Sequence, residues 1–140
     1  SGEAIGNISV VRLYEREETA EIGYCLSARF WGQGIMTEAF RAVIAYLFTC
    51  VGVNRIEARH DTRNPASGRV MEKCGMTKEG VLRQRERNNA GRCDLAIYSI
   101  LREEWQKNKI KRTERNFPSF FYISFRLPQS LRILSPPSRS

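Results

Sequence analysis

Two glycines one residue apart, Gly32 and Gly34 in the segment WGQGIMTEA (31–39), dictate much of what can surround them. They stand between EIGYCLS (21–27), where Ile22, Tyr24 and Leu26 alternate in the manner of a strand, and the apolar run AFRAVIAYLF (39–48). In that run Ala39, Phe40, Val43, Ile44, Leu47 and Phe48 recur at three- and four-residue steps, which makes a helix with a broad apolar stripe. Glycines between a strand and a helix bring bare backbone to a helix start, where the first amides have no intrahelical acceptor.

Three chemistries use such a loop. A Walker loop needs Gly-Lys-Ser/Thr, and Gly34 is followed by Ile35-Met36-Thr37. A dinucleotide fingerprint needs a third glycine where Thr37 stands, directly after a strand; five residues separate Leu26 from Gly32, so Glu57, at a suitable distance downstream, adds little. Capture of a diphosphate by main-chain N–H groups, helped by the helix dipole and requiring no side-chain cation, is the remaining option.

The rest of the chain reads as short elements. EAIGNISVV (3–11) is a strand with Ile8 and Val10 alternating against Asn7 and Ser9, and RLYEREETA (12–20) is a turn or hairpin connection. Gly52 ends the helix, and NRIEARHDTRN (54–64) alternates as a strand through Ile56, Ala58 and His60. NPASGRVMEKCG is a helix with Asn64 as cap, Pro65 in the first turn and Gly75 past the last. Gly68 inside it costs about 1 kcal/mol relative to alanine, which suggests either a close approach by backbone or ligand, or simple tolerance. EGVLRQRE and CDLAIYSIL form a final hairpin through RNNAGR, and REEW closes the domain near Trp105. The order β-β-α-β-α-β-β is an α/β arrangement of the α+β type, with a mixed, largely antiparallel sheet flanked by helices.

Charge divides the chain into two parts. Residues 1–105 carry 15 basic against 14 acidic side chains, and residues 106–140 carry 8 against 1. The first part is a nearly neutral domain; the second, with four prolines and no period, reads as a basic tail that is poorly ordered or not native coding sequence. A basic surface for nucleic acid belongs on folded structure, so nucleic acid is not an expected partner. No apolar run reaches membrane-spanning length, and the first residues given do not follow a signal-peptide pattern. Cys25, Cys50, Cys74 and Cys93 lack the close pairs of a zinc site; buried reduced thiols and a cytoplasmic location are expected, with no metal.

AEIGYCLSARFWGQGIMTEAF, then NRIEARHDTRNPASGRVMEKCGM, then the closing Asp, Tyr and REEW resemble the GNAT N-acetyltransferases, in particular the RimJ/RimL-type branch, over about residues 3–105. The resemblance implies transfer of acetyl from acetyl-coenzyme A to a primary amine, by direct attack of the amine on the thioester. The family's loop pattern falls on Trp31, Gly32, Gln33, Gly34, Ile35 and Met36, with Thr37 following; Trp31 takes the Arg/Gln position and Met36 the small-residue position, tolerable if its side chain points away. It further implies that the backbone of Leu26 and Ser27 contacts the pantetheine arm where two strands splay, that Asn64 bonds the pantetheine, and that Ser67 lies near the sulfur. The reaction needs a proton acceptor, donors for the developing oxyanion and a donor for the thiolate. Amides at the end of strand 21–27 suit the oxyanion, Ser67 the sulfur, and Glu21 the proton, directly or through water.

Each residue also has a plainer reading: Asn64 a cap, Ser67 a solvated first-turn serine, Glu21 a strand-edge charge, Tyr98 and His60 packed residues. The family's domain opens with a strand and two helices ahead of residues 3–11, so the resemblance implies a chain truncated at its N-terminus, with an exposed sheet edge that pairs with a second copy or another chain. The acceptor then stays open between a protein N-terminus and a small amine. The competing readings are a non-catalytic acyl-coenzyme A-binding or interaction module and, through the tail, a nucleic-acid binder.

Overall fold

The computed structural model describes residues 5–109 and 122–123. The strands are β1 (Gly6–Tyr14), β2 (Thr19–Leu26), β3 (Arg55–Asp61), β4 (Thr77–Asn88), β5 (Gly91–Leu101) and β6 (Tyr122–Ile123). The helices are α1 (Ile35–Tyr46), α2 (Pro65–Lys73) and α3 (Arg102–Lys109). The sheet runs β4-β5-β3-β2-β1-β6, with β2–β3 and β1–β6 parallel and the other neighbours antiparallel. The mixed, largely antiparallel sheet expected from the sequence is the one observed.

The first two strands are longer than their patterns suggest. β1 runs on to Tyr14 and β2 starts at Thr19, so the connection shrinks to residues 15–18. A bulge between Val10 and Arg12 shifts the register and lets Leu13 face Ala20, which hides the alternation in a stretch dominated by charge. β4 and β5 likewise extend to Asn88 and Gly91, where the hairpin turns. α3 continues the REEW segment to Lys109. The expectations for the tail fall outside the described residues, except for this last turn and for Tyr122–Ile123 beside Asn7 and Ile8 of β1.

One face of the sheet carries α1 and α2. Ile8, Ala20, Ile22, Ile56, Ala58 and Ile100 from the strands meet Phe40, Val43, Ile44 and Met71 from the helices, all at most 2% exposed. α1 ends in a π turn (Leu47–Val51) capped by Gly52, which holds positive φ, as does Gly75 after α2. Trp105 of α3 packs on Phe48 at 5.3 Å between ring centroids. None of the four cysteines forms a disulfide: Cys74 and Cys93 are buried as expected, Cys50 is partly buried, and Cys25 is exposed at the end of β2.

Asn64 occupies the N-cap position of α2 but makes no capping bond. Its Nδ2 donates instead to Ser67 Oγ at 3.2 Å. Pro65 at the first helical position removes one of the amides that a cap satisfies. Gly68 is explained by packing: a Cβ there would lie 2.8 Å from His60 Nε2 and 3.2 Å from the Tyr98 hydroxyl. Here α2 sits against β3 and β5 with no room for a methyl group.

Candidate functional site

β2 and β3 pair only from Thr19–Arg55 to Ile22–Ala58. Beyond that they diverge, β2 staying with β1 as far as Leu26 and β3 staying with β5 as far as Asp61. The gap opens into a cleft of about 520 Å³ between the end of β2, the glycine loop and α2. The amide of Ser27 donates to Ile5 O at 2.9 Å, so the ladder's alternation turns the amides of Tyr24 and Leu26 the other way, into the gap.

The loop is built to present backbone. Gly32 and Gly34 both have φ +75°, a left-handed conformation that other residues adopt at a cost of about 1–2 kcal/mol. An added Cβ at either would meet nothing within 4 Å, so the ground for glycine is conformational. Glu38 is the first amide of α1 to find an intrahelical acceptor, Gly34 O at 3.0 Å. Among the described residues, no hydrogen bond engages the amides from Gly32 to Thr37. Ile35, Met36 and Thr37 line the cleft while each is buried as a whole residue, at 9%, 5% and 8% exposure.

Of the residues singled out from the sequence, Leu26, Trp31, Gly32, Gly34, Ile35, Met36, Thr37, Asn64 and Ser67 line this cleft. Trp31 is 66% exposed, and its Nε1 donates to Leu26 O at 2.7 Å, tying loop to strand and occupying that carbonyl. Ser67 Oγ accepts from Asn64, which leaves its own proton to donate. Tyr24, from the opposite wall, donates its hydroxyl to Ser67 O at 3.1 Å. Burial pushes the Tyr24 hydroxyl up to about 12, against the smaller opposing effect of that bond.

Three residues are not brought to the cleft. Ser27 is exposed, with its amide committed to Ile5. The side chain of Gln33 turns outward, Nε2 donating to Arg29 O at 3.2 Å. Glu21 lies on the face opposite the helices, 6% exposed, held by Arg59 Nε at 2.8 Å and Nη2 at 3.2 Å. Burial raises its pKa, against the attraction of Arg59 and then Arg12. Tyr98 donates to Glu72 at 3.0 Å away from the cleft, and His60 packs against Tyr98 with Nδ1 2.7 Å from Asp61 O.

Arg69 and Lys73, which the sequence reading passed over, line the cleft from α2. Their four-residue spacing, following Ala66 three residues earlier, puts them on one helix face, and that was the available signal. Arg41 Nη2 donates to Lys73 O at 2.8 Å and joins α1 to α2 at this end. The cleft therefore offers unpaired amides at one side and two cationic side chains at the other, a fit for a ligand with several phosphate charges. Among the described residues, no group of three or more His, Cys, Asp or Glu side chains could hold a metal ion, and no helix is long and apolar enough to cross a membrane.

Comparison with known proteins identifies the family. Residues 1–77 match the acetyltransferase (GNAT) domain family. The chain is 39% identical over 100 residues to the N-acetyltransferase YoaA of Bacillus subtilis, covering 71% of this chain and 56% of that one. It is 35% identical over 97 residues to the ribosomal-protein-serine acetyltransferase of Escherichia coli, covering 69% and 54%. Among solved structures it is similar to a GNAT-family acetyltransferase from Bacillus anthracis (TM-score 0.65, 32% identity, 71% and 59% covered). It is also similar to the ribosomal-protein-S5-alanine acetyltransferase from Vibrio fischeri (TM-score 0.68, 27% identity, 72% and 56% covered). The chain spans just over half the length of these relatives. It belongs to the GNAT acetyltransferase family.

Proposed function

We propose that the cleft seats acetyl-coenzyme A and that the chain carries the cofactor half of an N-acetyltransferase of the RimJ/RimL type, acting on a primary amine. The observation that carries this reading is the row of unbonded amides from Gly32 to Thr37 along one wall of the cleft. These amides hold the diphosphate, with Arg69 and Lys73 supplying positive charge from α2. Asn64 bonds the pantetheine arm, which passes Leu26 in the gap between β2 and β3.

When bound, the cosubstrate supplies an acetyl thioester as electrophile. The Leu26 amide points into the gap as a donor for carbonyl charge. Ser67, with its oxygen engaged by Asn64, keeps its proton for the sulfur. Glu21 stands across the sheet, one residue before β2 and β3 part, and takes the amine's proton through water. The acceptors named for relatives include ribosomal proteins and spermidine. A protein N-terminus is the acceptor we favour, because the identity to the ribosomal-protein acetyltransferases exceeds that to the spermidine enzyme.

The test measures coenzyme A binding by calorimetry and thiol release with a panel of amines. Binding together with amine-dependent thiol release supports the enzyme; binding without release favours an acyl-coenzyme A module; no binding overturns the assignment. Ser67→Ala is expected to slow turnover more than it weakens binding, and equal loss of both would leave Ser67 a contact residue.

A further inference from the structure

The outer hairpin carries an arrangement that the cleft does not explain. β4 ends the sheet, so among the described residues one of its edges has no neighbouring strand. Val81 and Leu82 on it are 42% and 43% exposed. Beyond them the register jumps from Leu82–Leu95 to Glu86–Cys93, so Arg83, Gln84 and Arg85 bulge out opposite Asp94 alone. Gln84 takes φ +50°, and its amide donates to Asp94 Oδ1 at 2.7 Å, which holds the bulge in place. Two residues further, Arg87 faces Arg92 directly across the ladder. Like charges placed opposite one another destabilise a hairpin, and a left-handed glutamine adds to the cost.

The surroundings do not neutralise this charge. Asp61 is bound by Arg63 at 2.7 Å and Asn88 at 2.9 Å, and Glu86 leans toward Arg59 at 3.7 Å. Among the described residues, Arg83, Arg85, Arg87 and Arg92 form no ion pair, and residues 106–140 contain a single acidic side chain. The hairpin tip is also fixed close to the cleft. Asn88 bonds Asp61, and Thr62 N donates to Asp94 O at 3.1 Å, in the loop that leads to Asn64.

We propose that the open edge of β4 and its arginines dock an extended, acidic polypeptide segment, and that this segment belongs to the acceptor whose amine enters the cleft. The second half rests on the reading of the cleft as the cosubstrate seat. An unpaired strand edge offers main-chain donors and acceptors that an extended peptide satisfies, with acidic side chains meeting Arg83, Arg85, Arg87 and Arg92. A second copy joined antiparallel through the same edge and centred on Gln84 would set Arg83 of each copy against Arg85 of the other. The only aromatic side chain of the hairpin, Tyr98, is buried, so the surface has no platform for stacking nucleic-acid bases.

The probe is a short fluorescent peptide of alternating glutamate and threonine with a free N-terminal serine, beside its lysine counterpart and a single-stranded oligonucleotide of equal charge. The whole chain should bind the glutamate peptide in preference to both. Arg83→Glu/Arg85→Glu should weaken that binding roughly tenfold or more, and Arg83→Gln/Arg85→Gln by less, with coenzyme A affinity unchanged. Equal binding of the two peptides, no effect of either double variant, or tighter binding of the oligonucleotide would overturn the proposal. So would a dimer, seen by sedimentation, that the charge reversal dissolves. Loss of coenzyme A binding in the unmodified chain would instead strike the cleft reading, leaving the peptide result to judge the edge alone.

Discussion

The Tyr24 hydroxyl donates to the carbonyl oxygen of Ser67 at 3.1 Å, joining β2 to the first turn of α2 across 43 residues of chain. The bond spans the gap where β2 and β3 have stopped pairing. An edge-on contact between Tyr24 and Phe40, 5.4 Å between centroids, steadies the same ring against α1. The two walls of the cleft are thus held by one side chain.

Tyr24→Phe keeps the ring and removes the bond, so the fold should lose about 1 kcal/mol, and coenzyme A affinity should fall as the walls loosen. Burial of the hydroxyl also has a pH signature. The hydroxyl titrates near 10 when unfolded and at about 12 when folded, so its stabilisation is complete below 10 and lost as pH rises toward 12. Denaturant midpoints of the two proteins across that window should converge. A gap that stays constant would show that burial does not hold the hydroxyl in its neutral form.

Gly34→Ala meets no steric obstacle, yet its φ of +75° should cost about 1–2 kcal/mol, seen as a lower melting temperature. Gly34→Glu carries the same strain and adds a carboxylate beside the unbonded amides. Calorimetry should detect no coenzyme A binding to it, while circular dichroism stays native. Retained affinity would separate the loop from the diphosphate.

Gly68→Ala should destabilise by about 1–3 kcal/mol, because overpacking against His60 and Tyr98 outweighs the better helix propensity of alanine. Combining it with His60→Ala, which removes the nearer obstacle, should recover part of the loss. Thermal denaturation of the two single variants and the double variant measures that coupling; simple additivity would contradict the packing argument.

Glu21→Gln tests the buried carboxylate. Burial raises the folded pKa of Glu21 above its unfolded value, so the folded state holds the proton more tightly. The sign follows: Glu21 favours the fold below its ordinary range near 4.5 and loses that contribution as pH rises through the folded pKa. The stability of the natural chain relative to Glu21→Gln should therefore fall as pH climbs from that range toward neutrality. A difference that widens with pH would mean that Arg59 dominates over burial.

Periodicity and punctuation in the chain were enough to place α1, α2 and five strands, because apolar spacing and glycine conformation act over a few neighbouring residues. Gly34 at the start of α1, Gly52 and Gly75 past helix ends, and the alternation of Ile56 and Ala58 were all legible in that local sense. Much of the candidate cleft followed, since nine of the residues named for it lie on one strand end, one loop and the starts of two helices. Bulges were not legible: the shifts at Val10 and Leu82 depend on partners across the ladder. Nor were the outward turn of Gln33, the commitment of the Ser27 amide to Ile5, or the burial of Glu21 beside Arg59. Each depends on a contact between backbone directions or side chains that meet only once the chain has folded. Local sequence determined which elements form and where main-chain amides lie open. Only the tertiary structure decided which side chains reach the gap between β2 and β3, because that gap exists through the divergence of two strands held by different neighbours.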